Sequence, residues 1–243
     1  MSKWLWRANN RPRACLRLYC FPHAGAGASA FASWVSAAPS EIEIAPVQLP
    51  GRETRLDEEP QRSFVPAAEA IAEVISISDP RPFALFGHSV GGKLAVHVAS
   101  LLDQTDRRPT ELFISATPTV PRERHIHKLS GAEFVRAIAD RFGAIPTQIT
   151  DDREIWDLFE RPLRADLEAH ETDTLPPRRL DAPLTVIWGR QDRVVDRHEL
   201  TDWCEWSTRP VNYEVLEVDH FSYRSKPQAY LKVITGRLFA ARA

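Results

Sequence analysis

Short apolar runs rich in β-branched and aromatic residues alternate along the chain with segments whose apolar positions recur at helical spacing. The runs Cys15–Phe21, Ile42–Leu49, Phe83–Phe86, Leu112–Ser115, Leu184–Trp188 and Tyr213–Val218 are the predicted strands. Several are almost continuously apolar, as expected of parallel strands covered on both faces. Helical spacing marks Val65–Ile77, Gly92–Leu102 and Gln228–Ala241, and in the second of these Leu94, Val98, Leu101 and Leu102 form one stripe. The alternation predicts an α/β fold with a mostly parallel sheet and crossover helices.

One connection breaks the rhythm. No strand pattern occurs between Ser115 and Leu184, far beyond an ordinary βα connection. The interval carries its own helical patterns at Gly131–Arg141 and Glu154–Glu171. It is predicted to be an inserted helical lid over residues 117–177, within a single domain spanning 1–243.

The stretch "FALFGHSVGGKLAV" places Ser89 between Gly87 and Gly91, where a strand turns into a helix. This is the setting of a nucleophile elbow, in which the serine occupies a strained turn and its hydroxyl stands above the sheet. A hydroxyl is a weak nucleophile until a base takes its proton. Of eight histidines, His220 in "EVLEVDHFSY" follows the last strand run and is the expected base. His97 falls within the helix after the elbow, as a packed or surface residue. His125 and His127 form an H-x-H without a cysteine or acidic pair to complete a metal site, and read as solvated. His88 is expected to shape the turn.

A third member should orient the imidazole from the loop after an earlier strand. In "LTVIWGRQDRVV" that residue is Asp192. Asp196 opens "DRHE" with Glu199 three positions on, a helix-capping pattern that already explains it. Asp219 adjoins His220, and neighbouring side chains on an extended chain diverge. The order Ser89, Asp192, His220 is that of the α/β-hydrolases. For the oxyanion, the expected donors are the backbone N–H groups of Val90, just after the serine, and of Ala24 in "YCFPHAGAGASAF". That small-residue tract follows a strand and leads into a helix near Ser29. Neither G-x-x-x-x-G-K-[ST] nor G-x-G-x-x-G occurs in it, which argues against a nucleotide loop.

Composition narrows the picture only slightly. With 43% hydrophobic and 26% charged residues, 243 residues can bury a large core. A net charge of −2 favours neither nucleic acid nor a membrane surface as partner. The basic clusters Arg122-Glu123-Arg124 and Arg178-Arg179 read as solvated faces. Three cysteines, Cys15, Cys20 and Cys204, without metal spacing suggest buried, reduced thiols. The N-terminus lacks a signal-peptide apolar stretch and no segment approaches the roughly 20 apolar residues of a membrane span, so a cytoplasmic location is expected.

With these residues in place, the sequence resembles the type II thioesterases, stand-alone editing hydrolases of polyketide and nonribosomal peptide synthesis. The resemblance covers nearly the whole chain through "LYCFPHAGAG" (18–27), "LPGRETR" (49–55), "GHSVGG" (87–92), "PLRADLEAHE" (162–171), "GRQD" (189–192) and "DHF" (219–221). It implies Ser89, Asp192 and His220 as triad, and Ala24 and Val90 as oxyanion-hole residues. It also implies an acyl or peptidyl carrier protein as partner, whose phosphopantetheine arm bears the substrate, and no cofactor on this chain. Met1 without a preceding linker points to a stand-alone protein, expected as a monomer. The chain departs from the family in reading His23-Ala24-Gly25-Ala26 for the usual HAGG, in Val90 where methionine or leucine is common, and in Val218-Asp219 before the histidine. These departures bear on acyl-chain preference rather than on the reacting groups. In "PGRE", Pro50-Gly51 is a turn, and Arg52, Glu53 and Arg55 are expected to ion-pair at the surface without chemistry. A general carboxylesterase or acyl-CoA thioesterase, or a non-catalytic carrier-binding module, are the alternative functions.

Overall fold

Six parallel strands form one sheet in the order β2-β1-β3-β4-β5-β6. They are β1 (Leu16–Phe21), β2 (Ile42–Pro46), β3 (Phe83–His88), β4 (Leu112–Ser115), β5 (Leu184–Gly189) and β6 (Asn212–Leu216). In this computed structural model residues 2–6, 11–78, 80–122, 125–143, 145–175 and 179–239 are described. Glu123, Arg124, Pro177, Arg178 and the predicted end of the last helix at Ala241 lie outside them.

Strands β1 to β5 are buried along almost their whole length, which is why their sequences are mainly apolar; the charged exceptions, Arg17 in β1 and Glu43 in β2, are buried as an ion pair. Edge strand β6 instead alternates half-buried and exposed positions. Helices α1 (Ala32–Ala37), α2 (Phe64–Ser76), α3 (Val90–Leu102) and, at the far end of the chain, α7 (Ser222–Ser225) and α8 (Pro227–Phe239) cover the sheet. One layer of core packs α2 and α3 on the sheet through Ile71, Ile75, Leu94 and Val98. The opposite layer packs α1 and α8 through Trp34, Phe86, Tyr230 and Ile234.

Between β4 and β5 the chain forms α4 (Gly131–Phe142), α5 (Thr147–Thr150) and the twenty-residue α6 (Arg153–Thr172). Asp152 caps α6, its carboxylate accepting from the N–H groups of Glu154 and Ile155. Pro162 divides the helix: positions 153–161 are mainly exposed, whereas Leu163, Ala165, Asp166, Leu167, Ala169 and Glu171 are buried. The insertion has a small core of its own, made of Ile126, Phe134, Ile138, Leu163 and Leu167. The Arg164 guanidinium lies 3.9 Å over the Phe134 ring, and its Nη1 donates to the carbonyls of His127 and Leu129.

Strand order brings the important loops together. β1 neighbours β3, so the small-residue loop after Phe21 meets the turn after His88. β5 neighbours β6, so the loop carrying Asp192 meets that carrying His220. All four loops emerge at the carboxyl edge of the sheet, near the reversal of strand order at β1 and β3, where open α/β sheets place their sites.

Candidate active site

Ser89 has φ 54° and ψ −124°, a conformation that an L-residue adopts only when its surroundings hold it there. Its N–H donates to the Ser115 carbonyl at 2.8 Å, while its own carbonyl accepts from the Gly92 N–H and the Thr117 hydroxyl, each at 2.9 Å. The flanking glycines answer to different neighbours. A Cβ on Gly87 would lie 2.5 Å from the Gly91 carbonyl oxygen, so the strand and the new helix are in contact there. A Cβ on Gly91 would lie 2.3 Å from the Pro22 oxygen and 2.4 Å from the Phe21 oxygen, so α3 is pressed against the end of β1. The turn thus presents Ser89 at the floor of a cavity.

His220 and Asp192 are brought together from their separate loops. His220 Nδ1 donates to Asp192 Oδ2 at 2.8 Å, and both side chains are buried. The other oxygen, Asp192 Oδ1, accepts from the N–H groups of Val194 at 2.8 Å and Val195 at 3.0 Å. These contacts fix the carboxylate, which fixes the imidazole with its Nδ1 protonated and Nε2 as the basic nitrogen. Nε2 makes no hydrogen bond with any described residue, the Ser89 hydroxyl included. Asp196 has a different role: with Glu199 it forms a capping box on the 3-10 helix Arg197–Trp206.

The remaining histidines separate clearly. His88 is fully buried, its Nδ1 3.1 Å from the Ser115 hydroxyl and its ring 4.9 Å from His220 and 4.3 Å from Tyr223. Burial first, then the neighbouring His220 and His23, push its pKa well below the usual imidazole range. His23 faces Tyr223, with Nδ1 2.6 Å from the hydroxyl, and burial followed by the charge on His220 lowers it to about 3. Both neighbours of His220 therefore stay neutral and do not compete for a proton. His97 is packed, with Nε2 2.8 Å from Asp173. His127 is not the solvated residue its sequence suggested: its Nδ1 lies 2.5 Å from Glu171, at a side-chain exposure of 9%. A histidine four residues from a helix start shows no partner 44 positions away, which explains the difference. Of the thiols only Cys20 is buried; Cys15 is half-buried and Cys204 exposed. Among the described residues no cluster of three or more His, Cys, Asp or Glu is placed to hold a metal ion.

Ala24, Val90, Ser89 and His220 line one cavity of about 330 Å³. Its other wall comes from the insertion, through Ile138, Phe142, Phe159, Leu163 and Leu167. Val90 is the first residue of α3, so its N–H is one that a helix leaves without an internal partner. Ala24 sits in the turn 23–26, closed by the Ala26 N–H on the His23 carbonyl at 3.1 Å, with Gly25 at φ +77°.

Sequence reasoning missed the group behind this turn. Arg52 is buried rather than superficial, and its guanidinium grips the buried Asp166 carboxylate with Nη1 to Oδ2 at 2.5 Å and Nη2 to Oδ1 at 2.9 Å. Arg55 is buried too, lying 4.3 Å over the Trp4 ring and paired with Glu58. Glu53 is exposed as expected, and accepts from the Ser29 hydroxyl at 2.5 Å. The available signal was that Arg52 and Asp166 both fall in segments the family resemblance had singled out.

A parallel sheet in this order, an elbow after β3, and an acid and histidine after β5 and β6 define an α/β-hydrolase. Residues 16–238 match the family described as Thioesterase domain. The chain is 33% identical over 234 residues to the gramicidin S biosynthesis protein GrsT of Aneurinibacillus migulanus, covering 93% of this chain and 90% of that one. RedJ, a thioesterase from the prodiginine pathway in Streptomyces coelicolor, is similar in structure with a TM-score of 0.80 at 30% identity, over 94% of this chain and 92% of RedJ. YbtT, a type II thioesterase from the yersiniabactin NRPS/PKS pathway, gives a TM-score of 0.83 at 28% identity over 98% of each chain. The chain belongs to the thioesterase family as a type II thioesterase, a hydrolase of thioesters.

Proposed function

We propose that the protein removes acyl groups from the phosphopantetheine arm of acyl or peptidyl carrier proteins through an acyl-enzyme on Ser89. The observation that carries this reading is the Asp192–His220 hydrogen bond at 2.8 Å, which leaves Nε2 unpaired on a histidine that lines the same cavity as Ser89. Carrier-bound substrate is supported by the biosynthetic pathways in which the similar proteins act. A monomer in the cytoplasm is the accompanying expectation. Among the described residues, no helix is long and apolar enough to cross a membrane.

In the first half-reaction the Ser89 oxygen attacks the thioester carbonyl carbon and its proton passes to His220 Nε2. The imidazolium that forms is stabilised by Asp192. The carbonyl oxygen, now an oxyanion, accepts from the N–H groups of Ala24 and Val90, each such donor being worth about 2.7–4 kcal/mol in the transition state. The C–S bond breaks, the thiol leaves with the proton from Nε2, and the acyl group remains as a Ser89 ester. In the second half, Nε2 takes a proton from water as its oxygen attacks the ester; the C–O bond breaks, Ser89 regains a proton and the carboxylic acid departs. Catalytic hydrogen bonds of this kind commonly form or tighten only when substrate is bound, so an unpaired Nε2 is compatible with Ser89 as its partner in the reaction. No cofactor enters any step.

The insertion supplies most of the apolar wall, so it is assigned the role of a lid that shapes the acyl pocket. The test compares kcat/KM for one acyl group delivered on a carrier protein, on coenzyme A and as a simple oxygen ester. A clear preference for the carrier is expected. Equal rates on all three would replace this reading with a general esterase.

A further inference from the structure

We infer that Arg52 and Asp166 are positioning residues that set the oxyanion-hole amide of Ala24, so that a helix of the lid insertion is a working part of the site. This rests on the oxyanion role proposed above for Ala24. The Ala24 amide belongs to the turn 23–26. Its peptide units are planar, so fixing the direction of one N–H or C=O fixes the whole unit. Asp166 Oδ2 accepts the Gly25 N–H at 2.7 Å, which fixes the unit joining Ala24 to Gly25. Arg52 Nη1 donates to the Ala26 carbonyl at 3.2 Å, which fixes the unit after Ala26. The Ala24 N–H itself makes no hydrogen bond to a described residue. It is held in place by a turn that the pair grips on two sides.

The pair is itself held. Arg52 Nε donates to the Pro50 carbonyl at 3.2 Å, and Gln48 donates to the Arg52 carbonyl at 2.9 Å while accepting the Ala28 N–H at 3.1 Å. From the other side α6 lies directly on the turn, since a Cβ on Gly25 would be 3.2 Å from Leu163 Cβ. Asp166 stands one helical turn after Pro162, in the buried half of α6. Two distant segments therefore converge behind Ala24, residues 48–52 and α6, and the second comes from the lid. A catalytic donor displaced by about 1 Å can lose on the order of 100-fold in rate, so a clamp at this place governs turnover rather than substrate affinity.

A test must avoid leaving one buried charge alone, because that damages folding whatever the pair does. The double variant R52M/D166L replaces both members by apolar groups of similar shape. Thermal melting establishes that it folds. Three quantities are then read on an acyl thioester: kcat, KM, and the inhibition constant of a trifluoromethyl ketone analogue, whose tetrahedral adduct needs the oxyanion donors. The expected result is a fall in kcat of about 10- to 100-fold, KM within twofold, and a loss of inhibitor affinity by the same factor as kcat/KM. The pH dependence of kcat should keep its shape, since His220 and Asp192 are untouched. Unchanged kcat, a change in KM alone, or a fall in kcat without weaker inhibition would each overturn the inference. Should the double variant not fold, R52K retains the charge and loses the fork, and a smaller parallel loss of kcat and inhibitor affinity is expected. Repeating the assay on p-nitrophenyl butyrate separates this inference from the functional reading. Wild type active on that ester but inert on carrier thioesters would refute the proposed substrate while leaving the clamp measurable.

Discussion

Replacing Asp192 by asparagine changes one atom and should disable the site through its hydrogen bonds. Oδ1 receives two buried N–H groups, from Val194 and Val195, and Oδ2 receives His220 Nδ1–H. An asparagine has one oxygen for these two places. If the amide NH2 were placed toward Val194 and Val195, two buried donors would face a donor, costing about 1–3 kcal/mol each. The oxygen therefore stays at the Oδ1 position and the NH2 turns to His220. A donor at that place demands Nδ1 as acceptor, which moves the imidazole proton to Nε2. With Nε2 protonated, His220 cannot take the proton of Ser89.

The size of the effect follows from the same contacts. A preference of about 2–6 kcal/mol for the wrong orientation makes the competent tautomer roughly 30-fold to 10⁴-fold rarer, at 1.36 kcal/mol per factor of ten. Loss of the carboxylate charge beside the imidazolium acts in the same direction, and about 10³–10⁴ in kcat is the expected total. Single-turnover acylation of Asp192→Asn by an acyl-N-acetylcysteamine thioester measures it, beside a melting curve to show that the fold survives. Asp196→Asn, which alters the helix cap and the exposed pair of Asp196 with Arg122 but leaves Asp192 and His220 untouched, should remain within about twofold of wild type in kcat, such a change acting on stability rather than chemistry. A loss below tenfold in folded Asp192→Asn would refute the assignment of Asp192 as the residue that orients His220.

Two other perturbations follow. Gly91→Ala places a methyl 2.3 Å from the Pro22 oxygen, a backbone atom that cannot swing aside, so urea denaturation should show a loss of roughly 3 kcal/mol and activity should fall with it. His23 and His170 are held neutral with pKa values lowered to about 3, in each case chiefly by burial. Between an unfolded value near 6.5 and about 3 the unfolded chain binds the proton and the folded one does not, so stability is full above pH 6.5 and falls as pH drops. Each histidine should contribute a slope approaching about 1.4 kcal/mol per pH unit, and urea midpoints that stay constant from pH 6.5 down to 4.5 would contradict it.

Much of this architecture was legible because burial leaves a mark on sequence. Strands β1 to β5 read as mainly apolar runs since both faces are covered, and β6 is legible despite its alternation since it too ends in a turn. The predicted second strand runs on to Leu49, whereas β2 ends at Pro46: Val47 still donates to the Cys20 carbonyl and bridges Leu5, and Gln48 bonds to the Trp4 carbonyl instead of the sheet. The elbow and the carboxyl-edge loops could be placed because each follows a strand directly. What stayed hidden depends on partners far along the chain. Arg52 and Asp166 lie 114 positions apart, and a lone arginine after Pro-Gly carries the pattern of a solvated turn. His127 carries the pattern of a solvated residue for the same reason, its carboxylate partner Glu171 sitting at the end of α6. Charged residues reveal their burial only through the fold that pairs them.

On the proposed mechanism an acyl group passes through Ser89. The direct measurement mixes the enzyme with a loaded acyl carrier protein, quenches with acid within the first turnover, and maps digested peptides by mass. An acyl adduct on the peptide containing "GHSVGGK", appearing before free acid and absent from Ser89→Ala, is the predicted result. Release of acid at wild-type rate by Ser89→Ala, or an adduct on any other residue, would contradict the account.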